Sequence, residues 1–136
     1  AGFDHEYTMR PEFKRFQGVY GFSFEGNITL LVPDLMYKAI KDGQVDVIDA
    51  FSTDGRIAAY NLRILEDDKN LFPPYDTCIL VNSKTLKKHQ ALKNILEKLS
   101  GKISLKQMRR MNYAVTDEYK SPATVANSFL KEQGLL

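Results

Sequence analysis

Three side chains of this sequence suggest a shared chemistry: Arg10 ahead of Pro11, Phe51 at the end of an apolar run, and Tyr75 directly after Pro73-Pro74. A guanidinium fork meets a carboxylate with two parallel hydrogen bonds. The face of an aromatic ring attracts a cation, by up to ~2 kcal/mol once water is excluded. An arginine and two rings could therefore hold a molecule that carries a carboxylate and a cation together. Each residue also has a plainer reading, the rings as core and the arginine as a surface charge. Thr53, in Ser52-Thr53-Asp54-Gly55-Arg56-Ile57, is the fourth candidate. Either this turn borders a cleft and Thr53 touches ligand, or the turn is structural. In the structural reading Asp54 caps a helix, Gly55 permits close packing and Arg56 pairs with a carboxylate.

Other chemistry finds little support. Asp4-His5-Glu6 is the one cluster with metal-binding or acid–base residue types, and on a strand its neighbours point to opposite faces. The second histidine, His89, lies in a lysine-rich stretch, and no paired-cysteine or His-x-x-x-His spacing occurs, so no metal site is expected. Ser52 and Ser83 lack the glycine-flanked context of a nucleophile. No phosphate-binding or dinucleotide fingerprint is present, so no cofactor is expected and the chain does not read as an enzyme. Residues 84–110 hold nine cations and one acid, Glu97. The cations fall opposite the apolar stripe of each helix and no aromatics interleave, so a solvated surface is expected rather than a nucleic-acid interface.

The elements that must position these residues are legible in outline. Phe13, Phe16, Val19 and Tyr20 recur at helical spacing before Gly21, and residues 1–8 read as a strand end and loop. Residues 28–32 and 45–51 read as strands, the second with Val45, Val47, Asp49 and Phe51 on one side. Between them Asp34 caps a helix over residues 35–41 that stops at Asp42-Gly43. Thr53 or Asp54 starts a short helix through Tyr60, residues 62–65 read as a third strand, and residues 66–70 as a loop. Pro73-Pro74 cannot continue a central strand. Residues 76–82 are a strand again, with Cys78, the sole cysteine, as a buried thiol. Helices follow: one capped by Ser83, one with Leu92, Ile95, Leu96 and Leu99 on its apolar face, one capped by Ser104, and one opened by Ser121-Pro122 with Val125, Phe129 and Leu130 buried. Strands alternating with helices predict an α/β protein with a largely parallel sheet.

At 136 residues the chain can build a real core, and no apolar run approaches the ~20 residues of a membrane helix. The N-terminal residues show no basic segment followed by an apolar stretch, so no signal peptide is expected among them, and Ala1-Gly2-Phe3-Asp4 reads as the middle of a strand. Residues 1–76 carry 8 basic and 13 acidic side chains, and residues 77–136 carry 11 basic and 4 acidic. That change of sign just after Phe72-Pro73-Pro74-Tyr75 predicts two structural units meeting there.

The sequence resembles the substrate-binding proteins of ABC transporters for quaternary-ammonium osmoprotectants. The resemblance rests on Phe3-Asp4-His5-Glu6, Arg10-Pro11, Leu35-Met36-Tyr37-Lys38-Ala39-Ile40, Gly43-Gln44-Val45-Asp46-Val47 and Ser52-Thr53-Asp54-Gly55-Arg56-Ile57. It continues through Leu65-Glu66-Asp67-Asp68-Lys69, Phe72-Pro73-Pro74-Tyr75, Gly101-Lys102-Ile103-Ser104 and Met111-Asn112-Tyr113, and so covers nearly the whole chain. It implies a partial type II periplasmic-binding-protein fold matching the C-terminal half of the family. Residues 1–73 would be most of the second lobe, 74–76 a hinge, and 77–136 the returning strand and C-terminal helices of the first lobe. It implies an extracytoplasmic protein, tethered to or fused with its permease in some arrangements, that binds glycine betaine, choline or carnitine and works with an ABC permease. Arg10 would hold the ligand carboxylate, while Phe51 and Tyr75 would form part of a cage around the trimethylammonium. Phe51 stands where relatives often carry tyrosine, and residues 11–14 lack the family's usual aspartate-glycine. The alternative is a ligand-sensing domain of the same fold in a transcription regulator. Apolar surface on the helices after Gly101 predicts self-association.

Overall fold

Gly2 and Phe3 form β1, the strand around which the first part of the chain is organised. A computed structural model describes residues 1–136. β1 pairs in parallel with β2, Thr29–Leu30, in the register Gly2 with Thr29 and Phe3 with Leu30. On its other side Gly2 makes a parallel bridge to Ile48, with its N–H donating to Val47 O at 2.9 Å. Neighbours on both sides explain why Phe3 is 1 % exposed and the anchor of the core.

The rings of Tyr7, Phe13 and Phe24 surround Phe3, with centroids 5.9, 5.2 and 5.3 Å away. They come from the short helix α1, His5–Met9, from α2, Pro11–Tyr20, and from the loop that follows it. Burying a ring of this size contributes about 1.5–3 kcal/mol, and edge-to-face pairs add to that. Pro11 opens α2 because its missing N–H would be unsatisfied in a first turn anyway. Gly21 ends it in the left-handed region, φ 69°. Helix α3, Pro33–Lys41, packs against β1 with Met36, Tyr37 and Ala39 buried. The short α4, Arg56–Ala59, buries Ile57.

Two compact units emerge, one of residues 1–52 and 56–74, the other of residues 53–55 and 75–136. The second unit contains α5, Ser83–Lys88; α6, Ala91–Glu97; α7, Leu105–Thr116; and α8, Pro122–Glu132. α7 and α8 pack on each other, and Phe129 is buried. Ser104 caps α7 in a capping box: Gln107 N donates to its hydroxyl and the Gln107 side chain accepts from Ser104 N at 2.9 Å. Ser121 caps α8 by accepting from Thr124 N, with Pro122 next.

Several expectations need correction. Residues 5–9 are helical rather than loop, so Asp4-His5-Glu6 does not lie on a strand and Arg10 joins two helices. Val32 holds the N-cap position of α3 without a side-chain hydrogen bond, because Pro33 takes the first helical position and moves Asp34 into the first turn. α4 starts at Arg56, after Thr53 and Asp54, and α5 is capped by Asn82, which accepts from Lys84 N at 2.8 Å, with Ser83 the first helical residue. Residues 45–51 hold a single bridge at Ile48, and residues 62–65 and 76–82 join no sheet. β-propensity describes a fit to neighbouring strands, and no neighbour pairs with these runs. Val45 is buried while Phe51 is exposed, so the expected one-sided alternation fails. With its segment unpaired, Cys78 is exposed rather than buried. Ile95 is likewise exposed, although Leu92, Leu96 and Leu99 are half-buried. No helix is long and apolar enough to cross a membrane.

Candidate ligand-binding site

Arg10 sits at the break between α1 and α2, with extended backbone angles φ −74° and ψ 150°. Its Nη2 donates to Glu6 Oε1 at 2.6 Å, one helical turn back. Asp49, from the run that bridges to β1, accepts from Asp4 N at 2.8 Å, which ties residues 4 and 49 together across the sheet.

Tyr7, Arg10, Glu12 and Asp49 form one electrostatic neighbourhood. Burial pushes the Tyr7 hydroxyl up to about 12, helped by the negative charges of Asp49 and Glu12 and opposed by Arg10. Burial also pushes the Asp49 carboxyl up, against the Asp4 N–H and the Arg10 charge. Glu12 Oε2 is buried with no hydrogen-bond partner. Arg10 is the one cation in this neighbourhood, set among the carboxylates of Glu6, Glu12 and Asp49.

Phe51 is 69 % exposed, and Tyr75 is 64 % exposed. Neither ring is core, so the plainer reading of these two residues fails. Arg10 and Phe51 belong to the first unit, and Thr53 and Tyr75 to the second. Within the first unit Asp49 lies two residues before Phe51 and interacts with Arg10.

The turn at Thr53 is built into the second unit. Thr53 O accepts from Asn112 Nδ2 of α7 at 2.9 Å. Gly55 lies flat against the same helix, where a Cβ would overlap Tyr113 Cβ. Gly55 therefore permits close packing, as the structural reading expects. Arg56 also pairs as expected: Nη1 donates to Asp34 Oδ1 at 2.8 Å, and the guanidinium lies over the Tyr37 ring, 4.0 Å from its centroid.

Sequence reasoning missed Asp49, Asp67 and Asn112. Asp67 accepts from the Tyr20 hydroxyl and from the backbone N–H groups of Leu71 and Phe72, each of the latter at 2.9 Å. Lys69 Nζ donates to Val19 O at 2.6 Å. These contacts pin the loop that precedes Phe72-Pro73-Pro74 to the end of α2. Partners 45 to 59 positions apart leave no local pattern to read.

The chain is a helix-rich α/β fragment of the type II periplasmic-binding-protein fold. Residues 1–132 match the family described as the substrate binding domain of ABC-type glycine betaine transport systems, and the chain belongs to that family. It is 41% identical over 134 residues to the carnitine transport binding protein OpuCC of Listeria monocytogenes, covering 97% of this chain and 43% of that protein. It is 36% identical over 135 residues to the ergothioneine transport permease/ergothioneine binding protein EgtU of Helicobacter pylori, covering 99% of this chain and 24% of that protein. A crystal structure of a glycine betaine/carnitine/choline ABC transporter protein superposes with a TM-score of 0.89 at 40% identity, covering 98% of this chain and 49% of that one. The chain thus spans less than half the length of these curated relatives. The family consists of transporter binding proteins, not enzymes.

Proposed function

We propose that this chain is part of an extracytoplasmic solute-binding protein that delivers a trimethylammonium osmolyte (glycine betaine, choline or carnitine) to an ABC permease. The observation that carries the reading is the family match over residues 1–132. The exposure of Phe51 and Tyr75 supports it, because a ligand can reach rings that lie outside the core.

In this reading the two units are parts of two lobes, with residues 74–76 as the hinge, and closure around ligand is the signal to the permease. A trimethylammonium group donates no hydrogen bonds, so selection rests on ring faces and the exclusion of water. Phe51 and Tyr75 supply ring faces, Thr53 a contact at the border of the site, and Arg10 the fork for the ligand carboxylate.

The test is to titrate Arg10→Ala with glycine betaine and with choline, which has no carboxylate. Losing a charge-assisted hydrogen bond costs ~1.5–3 kcal/mol, or about ten- to a hundredfold in affinity. Betaine should lose that much and choline far less. Equal losses for both ligands would remove Arg10 from the carboxylate role.

A further inference from the structure

Arg10 holds a carboxylate of its own chain. Its Nη2 meets Glu6 Oε1 at 2.6 Å. A guanidinium takes a carboxylate with two parallel bonds in two ways, through Nη1 and Nη2 or through Nε and Nη2. Both edges use Nη2. A second carboxylate on either edge would place an oxygen beside that of Glu6, and like charges at such range repel. Glu6 and the carboxylate of a ligand therefore compete for one guanidinium.

The acids around Arg10 differ in what withdrawal would disturb. Asp49 is half-buried and tied to the Asp4 N–H at 2.8 Å, a bond that joins residues 4 and 49 across the sheet. Glu12 Oε2 is buried. Glu6 stands in the first turn of α1 with its side chain 77 % exposed. An exposed pair one helical turn apart contributes little to stability. The Glu6 carboxylate can turn into water while the sheet and the ring cluster around Phe3 stay as they are, so Glu6 is the acid that gives way.

We propose that Glu6 is a specificity-determining residue, which occupies Arg10 in competition with the carboxylate of a ligand. The inference rests on the reading in which Arg10 holds that carboxylate, and it adds the residue that opposes the contact. A ligand with a carboxylate has to displace Glu6 from Nη2. Choline has none and leaves the pair intact. The cost of displacement falls on glycine betaine and carnitine and narrows their advantage over choline. Its size is that of an exposed ion pair, about two- to fivefold in affinity.

The experiment is calorimetric titration of the whole binding protein that contains this chain, with glycine betaine, carnitine and choline, for wild type, Glu6→Gln, Arg10→Ala and the double variant. Glu6→Gln keeps the length of the side chain and removes its charge. It should raise the betaine-to-choline and carnitine-to-choline affinity ratios about two- to fivefold. Thermal melts of wild type and Glu6→Gln should coincide, since the pair is exposed. In the Arg10→Ala background the same substitution should leave both ratios where Arg10→Ala alone puts them, because the competition runs through the guanidinium. Ratios that fall in Glu6→Gln would overturn the proposal, since Glu6 would then be a support that orients Arg10. Unchanged ratios would overturn it too, as would a rise that persists without Arg10. In each of these cases a betaine-selective loss on Arg10→Ala leaves the carboxylate role of Arg10 standing. Equal losses of betaine and choline on Arg10→Ala would remove that role and the proposal with it.

Discussion

Gly55 and Tyr113 stand too close for any side chain at position 55. A Cβ there would overlap Tyr113 Cβ and lie 2.7 Å from Tyr113 Cα and 2.6 Å from Arg109 O. Two of these atoms are backbone, so α7 itself would have to move. Gly55→Ala should therefore destabilise the second unit by ~3 kcal/mol, the upper end of ordinary overpacking costs. Chemical denaturation measures this directly. A loss within error of zero would show that the turn and α7 separate freely.

Asp67 ties the loop at residues 66–70 to α2, and its pKa carries a signature. The hydrogen bond from Tyr20, then those from the Phe72 and Leu71 N–H groups, hold its carboxyl below the usual range. A depressed carboxyl stabilises the fold above its unfolded pKa and loses that contribution as pH falls through the folded value. Asp67→Asn should lower the melting temperature at neutral pH, and its deficit against wild type should shrink on acidification. The comparison is a pair of thermal melts across the acidic range. A deficit independent of pH would mean that the charge contributes nothing.

Asp49 has the opposite sign. Burial raises its carboxyl, so the ionised form costs stability at neutral pH and the cost disappears below the unfolded value. An Asp49→Asn variant keeps an oxygen for the Asp4 N–H and drops the charge. The variant should melt higher than wild type at neutral pH, and the gain should vanish as pH falls from the raised folded pKa to the unfolded one. The same melts decide it. A variant less stable at neutral pH would show that attraction to Arg10 outweighs the cost of burial.

What could be read from sequence was local or carried by motif. Ser104, Ser121-Pro122 and Gly43 mark helix ends within a few residues, and each does so in the structure. The motifs at residues 52–57 and 111–113 are both visible in the sequence, yet nothing there says that Asn112 and Tyr113 receive Thr53 and Gly55. Strands fared worst, because residues 62–65 and 76–82 have strand composition without a strand beside them. At the candidate site Arg10 and the two exposed rings were named from residue type and resemblance. Tyr7 and Asp49, which shape the charge around Arg10, enter only through folding.

The central claim is that this protein binds a trimethylammonium osmolyte, and calorimetric titration tests it most directly, since the chain has no tryptophan to report binding by fluorescence. The ligands are glycine betaine, choline, carnitine and, as a control without a trimethylammonium group, proline. The account predicts micromolar binding of at least one trimethylammonium compound and no heat from proline. Silence with all four ligands, or binding of proline as tight as the others, would contradict it.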